Sequence, residues 1–435
     1  MLGQFTEEIA MAEIQPVDSQ TQADTLVVGG GIAGITTAIE TAEVGKKVIL
    51  AEKQPTLGGR VAASYQYFPK LCPPTCGIEI NLKRIRTNSN IRVLTLAEVV
   101  SISGGPGNYE VQIRLNPRYV NEKCTCCGEC EKVCEIERDN DFNYGMDKTK
   151  AIYLPHLMAY PQQYVIDPQY VNDERMKKCV DACEYGAIEL DMQPKTISVK
   201  VGAIVWATGW KPYDATKIDN LGFGQYKNVL TNVMMERLAA PNGPTQGKII
   251  RPSDQKEISS VGFVQCAGSR DENHLPYCSA ICCLASMKQA TYIRTQYPEA
   301  DVHIFYIDVR SPGRLEDFYT KVQEDEKFHF HRGKVAKINE NPANGNLILE
   351  AENTLTGEIT RTEVEMAVLA TGMVPNTVDR PPPLETPRDD YGFLAPDTGQ
   401  GVIGAGVTNR PMDVSASLQD ATGAALKAII IGGRR

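Results

Sequence analysis

The sequence predicts an α/β protein that contains two nucleotide-binding βαβ domains and a small α+β insertion. Three observations predict this class. A glycine-rich turn follows an apolar segment near residue 30, and a second apolar segment of the same kind begins near residue 260. Between them, seven of the 13 cysteines fall within residues 124–183. Apolar segments that alternate with helix-forming ones are typical of parallel sheets covered by helices, whereas a local group of cysteines indicates a separate small unit.

The length and composition indicate a globular protein with more than one domain. A chain of 435 residues exceeds what one hydrophobic core usually supports, so we expect two or three domains. Hydrophobic residues make up 42% and charged residues 23%, which excludes wholesale disorder and a coiled-coil rod. The net charge of −9, without a basic cluster, excludes nucleic acid as a partner.

We expect the chain to be cytoplasmic and not to cross a membrane itself. No uninterrupted apolar run approaches the roughly 18 residues of a spanning helix. The polar leader over residues 1–23 carries Glu7, Glu8 and Glu13 and lacks the basic start of a signal peptide. The cysteines are odd in number and bunched, so in this compartment they indicate metal or redox centres rather than disulfides.

The first βα unit carries a dinucleotide-binding fingerprint. Gly29, Gly31 and Gly34 have the spacing G-x-G-x-x-G between an apolar strand and a helix-forming segment. The first glycine allows a tight turn, the second lets the backbone approach a pyrophosphate, and the third permits close packing of helix and strand. A second strand ends in Glu52, 18 residues past Gly34, where a ribose-binding acid belongs. The alternative is a chance glycine-rich loop in an unrelated α/β protein.

Further glycine-containing segments bear on the identity of the ligand. They are residues 58–60, 205–209, 368–372 and 401–406, the last of which precedes a helix-forming run over 413–428. In this order the segments resemble the two-dinucleotide-domain flavoprotein reductases of the thioredoxin reductase type, in which such pieces surround FAD. In those reductases the last helix points its N-terminus at the flavin pyrimidine.

The resemblance implies a set of FAD-binding residues in this chain. They are Gly29, Gly31, Ile32, Ala33, Gly34, Glu52, Lys53, Gly59, Arg60, Ala207, Thr208, Gly209, Thr371, Gly372 and Asp413. One departure is visible, because those reductases usually place Asp directly after the C-terminal glycine, where this sequence has Val407. The departure weakens the assignment of any single ribityl ligand but not that of FAD.

The middle βαβ unit carries cysteines where such reductases bind a nicotinamide cofactor. The strand over residues 260–265 runs into a loop with four thiols, and the following helix and strand keep the βαβ rhythm. Thiolates suit iron–sulfur clusters, and a helix N-terminus stabilises an anionic site. By spacing alone, redox-active thiols and buried structural cysteines remain alternatives.

The spacing Cys-x11-Cys-x3-Cys-Cys, with the flanking segments 265–272 and 276–278, resembles the flavoprotein A subunit of heterodisulfide reductases. In that family these cysteines hold a non-standard [4Fe–4S] cluster beside FAD. The resemblance therefore implies a cluster on Cys266, Cys278, Cys282 and Cys283. Residues 71–76 and 404–413 look most like one branch of the family, the A subunits of the quinone-interacting membrane-bound oxidoreductases of sulfate reducers (QmoA-type).

A ferredoxin-like motif marks the insertion. Cys124, Cys127, Cys130 and Cys134 have the bacterial ferredoxin spacing C-x2-C-x2-C-x3-C, although Glu135 replaces the usual proline. About 45 residues further on, a second motif retains only its last two cysteines, because Asp173 and Met176 occupy the positions of the first two. These two cysteines are Cys179 and Cys183.

Two-cluster ferredoxins predict a crossed ligand set for this insertion. In such proteins the fourth cysteine of each motif ligates the other cluster. We therefore predict a [4Fe–4S] cluster on Cys124, Cys127, Cys130 and Cys183, with ligation by Cys134 in place of Cys183 as the main alternative. Cys126 is then a spare thiol.

Cys72 and Cys76 lie outside both predicted ligand sets. The two prolines between them disfavour an ordinary helical C-x3-C arrangement. Either they form a tight turn with partly buried thiols, or they are a redox pair near the flavin.

The combined assignments divide the chain into a leader, an FAD-binding domain in three parts, a ferredoxin-like insertion and a second dinucleotide-type domain with the cysteine loop. The predicted boundaries are 1–23 for the leader, 24–120, 192–249 and 366–435 for the FAD-binding parts, 121–191 for the insertion, and 250–365 for the second domain.

FAD with two [4Fe–4S] clusters and no nicotinamide site predicts an electron relay without catalytic side chains of its own. The resemblance implies a homologous flavin/iron–sulfur partner (QmoB-like), a membrane haem/iron–sulfur partner (QmoC-like) that exchanges electrons with quinone, and adenylylsulfate reductase as the cytoplasmic partner. The chain would then be peripheral on the cytoplasmic side of the membrane, and flavin-based bifurcation or confurcation is a second version of the same role. The rival classes are a free-standing NAD(P)H-dependent disulfide or ferredoxin reductase and an electron-inert assembly protein.

Overall fold

The computed structural model describes residues 21–396 and 402–433. The leader up to residue 20, with Glu7, Glu8 and Glu13, and residue Gly401 therefore lie outside the described residues. The helices are α1 (Ile32–Glu43), α2 (Gly59–Ala62), α3 (Thr75–Thr87), α4 (Glu129–Val133), α5 (Met176–Asp181), α6 (Asn232–Ala239), α7 (Cys282–Gln296), α8 (Glu316–Gln323) and α9 (Val414–Gly432).

The strands form two main sheets and several smaller ones. They are β1 (Gln22–Val28), β2 (Val48–Ala51), β3 (Ile91–Leu94), β4 (Ala97–Gly105), β5 (Asn108–Leu115), β6 (Glu137–Asp139), β7 (Lys148–Lys150), β8 (Ile152–Tyr153), β9 (Val165–Ile166), β10 (Lys195–Trp206), β11 (Trp210–Pro212), β12 (Val229–Thr231), β13 (Ser260–Ala267), β14 (Asp301–Tyr306), β15 (Phe328–Arg332), β16 (Val335–Glu340), β17 (Leu347–Glu352), β18 (Ile359–Val364), β19 (Met366–Thr371), β20 (Met373–Pro375) and β21 (Val402–Gly404).

The first sheet has the order β3-β2-β1-β10-β5-β4, with β21 also paired to β10. β1, β2, β3, β10 and β21 run parallel, and Val28 is in register with both Ala51 and Trp206. The glycine-rich turn, Glu52 and Ala207 therefore follow neighbouring strand ends. Ligands of open parallel sheets bind at this edge, so the topology places the predicted dinucleotide site there.

Helices α1 and α9 cover one face of this sheet. Their small and branched residues, such as Ile35, Ile39, Ala421 and Ala424, interdigitate in a buried core. Alanine-rich surfaces let two helices approach closely, which brings the N-termini of α1 and α9 to the same sheet edge. Among the helices within the described ranges, none has both the length and the apolar character needed to span a membrane.

The second sheet is parallel and has the order β12-β19-β13-β14-β15. Its two faces bury separate cores, one under α6 and α7 and one under the antiparallel sheet of β16, β17 and β18. β12 and β19 belong to this sheet, because Val368 of β19 pairs with Phe263 of β13 on one side and with Leu230 of β12 on the other. Our boundaries at 249/250 and 365/366 therefore differ from the observed pairing, since both apolar segments fill the core of the second domain.

The insertion forms a small unit between β5 and β10. Leu115 and Lys195 are paired antiparallel, so the two ends of the unit leave from adjacent points of the first sheet. Its core contains Cys130, Cys134 and Cys179 among aliphatic residues, between the short helices α4 and α5. Arg118 ties this unit to the first domain by donating to the Thr95 hydroxyl at 2.8 Å and to the Pro55 carbonyl.

Candidate functional site

A cavity of about 1070 Å³ lies at the carboxyl ends of the first sheet. All the residues predicted to bind FAD line it, except Gly34 and Gly372. The second domain and the insertion supply the remaining walls. A cavity of this size, between domains and at the edge of a parallel sheet, suits a dinucleotide.

The predicted glycines have distinct roles at this edge. Gly29 has a φ of +111°, and a Cβ there would lie 2.3 Å from the Ala207 carbonyl oxygen. A Cβ on Gly34 would lie 1.8 Å from the Gly29 carbonyl oxygen, so Gly34 packs the helix against the turn. Among the described residues other than its chain neighbours, a Cβ on Gly31 would have only the Gly59 Cα within 4 Å, at 3.9 Å. Gly31 therefore borders an open cradle in which a pyrophosphate can approach the backbone.

Gly372 is the predicted residue whose surroundings differ from those we expected. A Cβ on Gly372 would lie 2.2 Å from the Ser269 hydroxyl oxygen and 2.8 Å from Leu275. The residue therefore packs under the loop that follows β13 rather than against the cavity. Close approach of that loop to the end of β19 explains why a glycine is needed.

Glu52 and Arg60 are held in fixed positions at the cavity wall. The Glu52 carboxylate accepts hydrogen bonds from the Gly30 N–H and, at 2.7 Å, from the Gln54 N–H. Burial raises the pKa of Glu52, while these two backbone donors act in the opposite direction. Arg60 donates from Nε to the Trp210 carbonyl and from Nη1 to the Tyr144 hydroxyl, each at 2.8 Å. An acceptor suited to ribose hydroxyls and a fixed cation thus face the same space.

The N-terminus of α9 also opens on the cavity. The Asp413 carboxylate caps it by accepting from the Ala416 N–H at 2.7 Å, and both Asp413 and Ser417 line the cavity. The first turn of a 19-residue helix presents partial positive charge. The N-terminus of the last helix therefore faces the cavity in which we expect the flavin.

Several buried polar atoms of the cavity residues lack a hydrogen-bond partner within the described part of the chain. They are Trp206 Nε1, Thr208 Oγ1, His156 Nδ1 and Gln289 Oε1. Buried polar groups are nearly always satisfied in native proteins. A polar ligand such as FAD would supply partners, so the residues present fit this cofactor.

The four predicted thiols of the second domain converge beside this cavity. Cys266 lies near the end of β13, and Cys282 and Cys283 begin α7; all three are buried, whereas Cys278 is half-buried. Burial and the neighbouring thiols raise the pKa of Cys266 to about 11, and the same causes raise the pKa of Cys282. Cys282 itself lines the cavity, with Sγ 3.9 Å from the Thr371 carbonyl oxygen.

The thiols of the insertion divide into a set of four and a pair. Burial raises the pKa of Cys130 to about 12, with the nearby thiols Cys124, Cys183 and Cys127 as further causes. Cys134 lies beside Cys179, with Cys130 as a further neighbour, and its Sγ donates to the Ile136 carbonyl at 3.7 Å. The predicted crossed ligand set would take Cys130 and its three neighbouring thiols, and Cys126 lies beside Cys124.

No group of three or more His, Cys, Asp or Glu side chains in residues 21–396 and 402–433 is arranged around a single metal ion. Soft thiolate donors are nevertheless the ligands that iron–sulfur clusters use, and both sets consist entirely of cysteine. The chemistry of the donor sets therefore fits [4Fe–4S] clusters.

The insertion contributes cavity residues that the sequence motifs did not indicate. The ring of Phe142 stacks on His156, with centroids 5.2 Å apart, and both line the cavity. The fully buried Arg237 lies 4.4 Å from the centroid of Phe142 and donates from Nε to Asn143 Oδ1 at 2.8 Å. This contact joins the insertion to the second domain.

A buried ion pair from the second domain completes the wall. Lys288 Nζ lies 2.8 Å from Glu236 Oε1, and both residues line the cavity. Glu236 also accepts from the Gln289 amide at 2.7 Å and from the Tyr65 N–H at 3.0 Å. The sequence signal that could have indicated this residue is that Lys288 is the one charged residue within residues 282–293. No motif singled it out.

Comparisons with known proteins agree with this architecture. A family model described as FAD dependent oxidoreductase matches residues 24–73. The Lactococcus lactis thioredoxin reductase in its FR conformation superposes with a TM-score of 0.52 at 13% identity, covering 95% of this chain and 100% of that chain. The predicted fold class, a thioredoxin reductase-like flavoprotein, is confirmed.

Curated relatives share much more sequence. The chain is 40% identical over 417 residues to an iron-sulfur A subunit of the CoB--CoM heterodisulfide reductase of Methanopyrus kandleri, the second of two from that organism. It is 37% identical over 424 residues to the A subunit of the H(2):CoB-CoM heterodisulfide,ferredoxin reductase of Methanothermobacter marburgensis. Each match covers 93% of this chain and 63% of the relative, so the chain spans less than two thirds of their length.

Proposed function

We propose that this chain, which belongs to the family of heterodisulfide reductase A subunits over the region it shares with those relatives, is the FAD and iron–sulfur electron-transfer component of a larger oxidoreductase complex. One observation carries the proposal. Cys282 belongs to the thiol set of the second domain and also lines the flavin cavity. A cluster held by that set would therefore be next to the flavin.

The side chains of the cavity have binding and shielding roles in this proposal. FAD exchanges electrons singly or in pairs, whereas a [4Fe–4S] cluster passes one at a time. The Gly31 cradle and the first turn of α9 bind the cofactor, while Phe142 and His156 exclude water. The Lys288 ammonium lies in the cavity wall in an ion pair with the Glu236 carboxylate, and the two would hold the wall in place around the cofactor.

The thiol set of the insertion would extend the electron path from another wall of the cavity. The insertion holds Cys124, Cys127, Cys130 and Cys183 in one small unit, and residues of that same unit line the cavity. Electrons would then enter the flavin from one cluster and leave through the other. This arrangement supports the splitting or merging of electron flow, including flavin-based bifurcation or confurcation.

For the partners we propose those that the sequence resemblance implies. They are adenylylsulfate reductase, a homologous flavin/iron–sulfur protein, and a membrane haem/iron–sulfur protein that exchanges electrons with quinone. The support is the likeness of residues 71–76 and 404–413 to the QmoA-type branch. Association with the membrane would then occur through the partners.

The names of the relatives support a second candidate. They pair heterodisulfide with ferredoxin or H2, so the chain would pass electrons within a heterodisulfide reductase complex. Anaerobic purification of the native complex, followed by identification of its subunits, separates the two candidates. A quinone-reactive haem protein in the complex would support the first, and a heterodisulfide-reducing protein would support the second.

Cofactor analysis tests the relay itself. We expect one FAD and about eight irons per chain, with matching acid-labile sulfide. About four irons would contradict one of the two cluster sites. About twelve would show that Cys134 and Cys179 take part in a third cluster.

A further inference from the structure

Cys72 and Cys76 form a separate pair at the surface of the first domain. The two thiols are close neighbours, and Cys72 Sγ donates to the Lys70 carbonyl at 3.6 Å. Cys72 is half-buried and Cys76 is exposed. The predicted tight turn of partly buried thiols is therefore only half right, because one of the two sulfurs is open to solvent.

The local backbone holds these thiols side by side. The Tyr67 N–H donates to the Cys72 carbonyl at 3.0 Å and closes a short bridge. Pro73 and Pro74 then turn the chain into α3, where Cys76 is the second residue. The fixed φ angles of two successive prolines limit the freedom of the connection between the two cysteines.

The two cysteines differ in their surroundings. Cys76 is exposed to solvent in the first turn of the 13-residue helix α3. Burial and the neighbouring Cys76 thiol raise the pKa of Cys72, which is half-buried. An exposed thiol that a disulfide can reach, beside a less accessible thiol, is the arrangement of an attacking and a resolving cysteine.

The pair also adjoins the wall of the flavin cavity. Tyr67 lines that cavity, and a Cβ on Gly77, the residue after Cys76, would lie 3.2 Å from the Tyr67 hydroxyl oxygen. Burial raises the pKa of Tyr67, with both thiols as additional causes. One tyrosine side chain therefore lies between the pair and the cavity.

We propose that Cys72 and Cys76 are a redox-active dithiol that reduces small disulfides. The Cys76 thiolate attacks one sulfur of the disulfide, so the disulfide bond breaks, a mixed disulfide forms on Cys76 and one thiolate leaves. Cys72 gives its proton to that leaving thiolate and then attacks the Cys76 sulfur. The second thiol leaves with a proton from solvent. Two electrons and two protons pass in total to the small disulfide, and the Cys72–Cys76 disulfide is the oxidised product.

The test is thiol trapping on the intact protein purified anaerobically with its cofactors. Glutathione disulfide is the probe, acid stops exchange, N-ethylmaleimide blocks free thiols, and tryptic peptides are analysed by mass spectrometry. Cleavage after Lys70 and Lys83 gives one peptide that contains both cysteines. We expect this peptide to lose two hydrogens and to escape alkylation, and full alkylation of both cysteines would overturn the proposal.

Matched serine variants assign the roles. The Cys72→Ser variant should accumulate the glutathione mixed disulfide on Cys76. The Cys76→Ser variant should form about tenfold less of the mixed disulfide, on Cys72. Equal trapping in both variants would overturn the assignment of Cys76 as the attacking thiol. The iron content should equal that of the wild type in both, and a loss of iron would overturn the dithiol role. These readouts do not depend on the proposed electron relay.

Discussion

Lys288 Nζ lies 2.8 Å from Glu236 Oε1 in the cavity wall, and the two side chains are only 6% and 9% exposed. The pair joins α6 to α7, and the Lys288 ammonium also donates to the Gln66 carbonyl of the first domain. A buried charge without its partner is costly because it has lost both water and counter-ion. The pair therefore links the two domains at the point where they enclose the cavity.

Replacing Lys288 by Met should lower the free energy of unfolding by about 3 kcal/mol, because it leaves the Glu236 carboxylate buried without its cation. The double variant Lys288→Met/Glu236→Gln should recover much of the loss, since no net charge remains. Urea unfolding of the anaerobically purified proteins measures both values. A loss below about 1 kcal/mol in the single variant would show that water already reaches the carboxylate.

Substituting Gly31 by Val should abolish FAD retention while the protein stays folded. The side chain would project into the open cradle, where nothing but the Gly59 Cα lies within 4 Å of the new Cβ. Gly34→Val is the matched variant and should instead destabilise the fold, because its Cβ would lie 1.8 Å from the Gly29 carbonyl oxygen. Flavin absorbance per chain and thermal unfolding separate the two effects. Full flavin occupancy in Gly31→Val would refute this placement of the pyrophosphate.

Cys183→Ala should remove the cluster of the insertion, whereas Cys134→Ala should largely preserve it. The reason is the grouping of the thiols, in which Cys183 is a neighbour of Cys130 while Cys134 lies beside Cys179. Iron and acid-labile sulfide per chain, with electron paramagnetic resonance of the reduced protein, provide the measurement. The reverse pattern would establish local ligation by Cys134.

The sequence predicted those parts of the site that depend on local chemistry. Gly29, Gly31 and Glu52 follow adjacent strand ends, and their roles depend on backbone geometry that a short motif encodes. The cysteines of the insertion were also visible, because they have the regular spacing of a ferredoxin motif, whereas the second-domain set was assigned through the family resemblance. Phe142 and Lys288 reach the cavity only through the packing of distant elements. No local pattern records such long-range contacts.

The domain boundaries show the same limit. The segment Met366–Thr371 ends in a turn typical of FAD-binding domains, so we assigned it to the first domain. Its apolar side chains nevertheless pack in the second sheet, where it pairs with β13. A buried parallel strand has no polar face that would indicate which sheet it joins. Pairing partners therefore could not be read from its composition.

The His156 imidazole should make the protein less stable as the pH falls below about 6.5. Burial lowers the pKa of His156 to about 4, so the folded protein keeps it neutral while the unfolded chain binds a proton below about pH 6.5. Protonation of this histidine in the unfolded chain should lower the free energy of unfolding by about 1.4 kcal/mol between pH 7.5 and pH 5.5. The variant His156→Phe keeps an aromatic ring stacked on Phe142 and should not show this part of the pH dependence. Identical pH dependence in the two proteins, measured by urea unfolding, would show that His156 is protonated in the folded state.

NADH and NADPH should not reduce the flavin of this protein rapidly, whereas dithionite should. In the second domain Cys266 lies near the end of β13, Cys278 lies in the loop that follows, and α7 begins with the buried Cys282 and Cys283 instead of free glycine amides. A pyrophosphate needs such amides, and an anionic cluster at the same place would repel it. Anaerobic stopped-flow at flavin wavelengths measures the rates.

The matched variant for this prediction is Cys282→Ala. It should retain FAD, because the Gly31 cradle and the first turn of α9 are unchanged, but electron exchange between the flavin and a reduced partner should slow. The physical reason is that Cys282 is the thiol of its set that lines the cavity, so its loss should remove a cluster held beside the flavin. Rapid reduction of the wild-type flavin by NADPH would instead establish the free-standing reductase and refute the relay. Unchanged exchange in Cys282→Ala would show that electrons reach the flavin through the insertion alone.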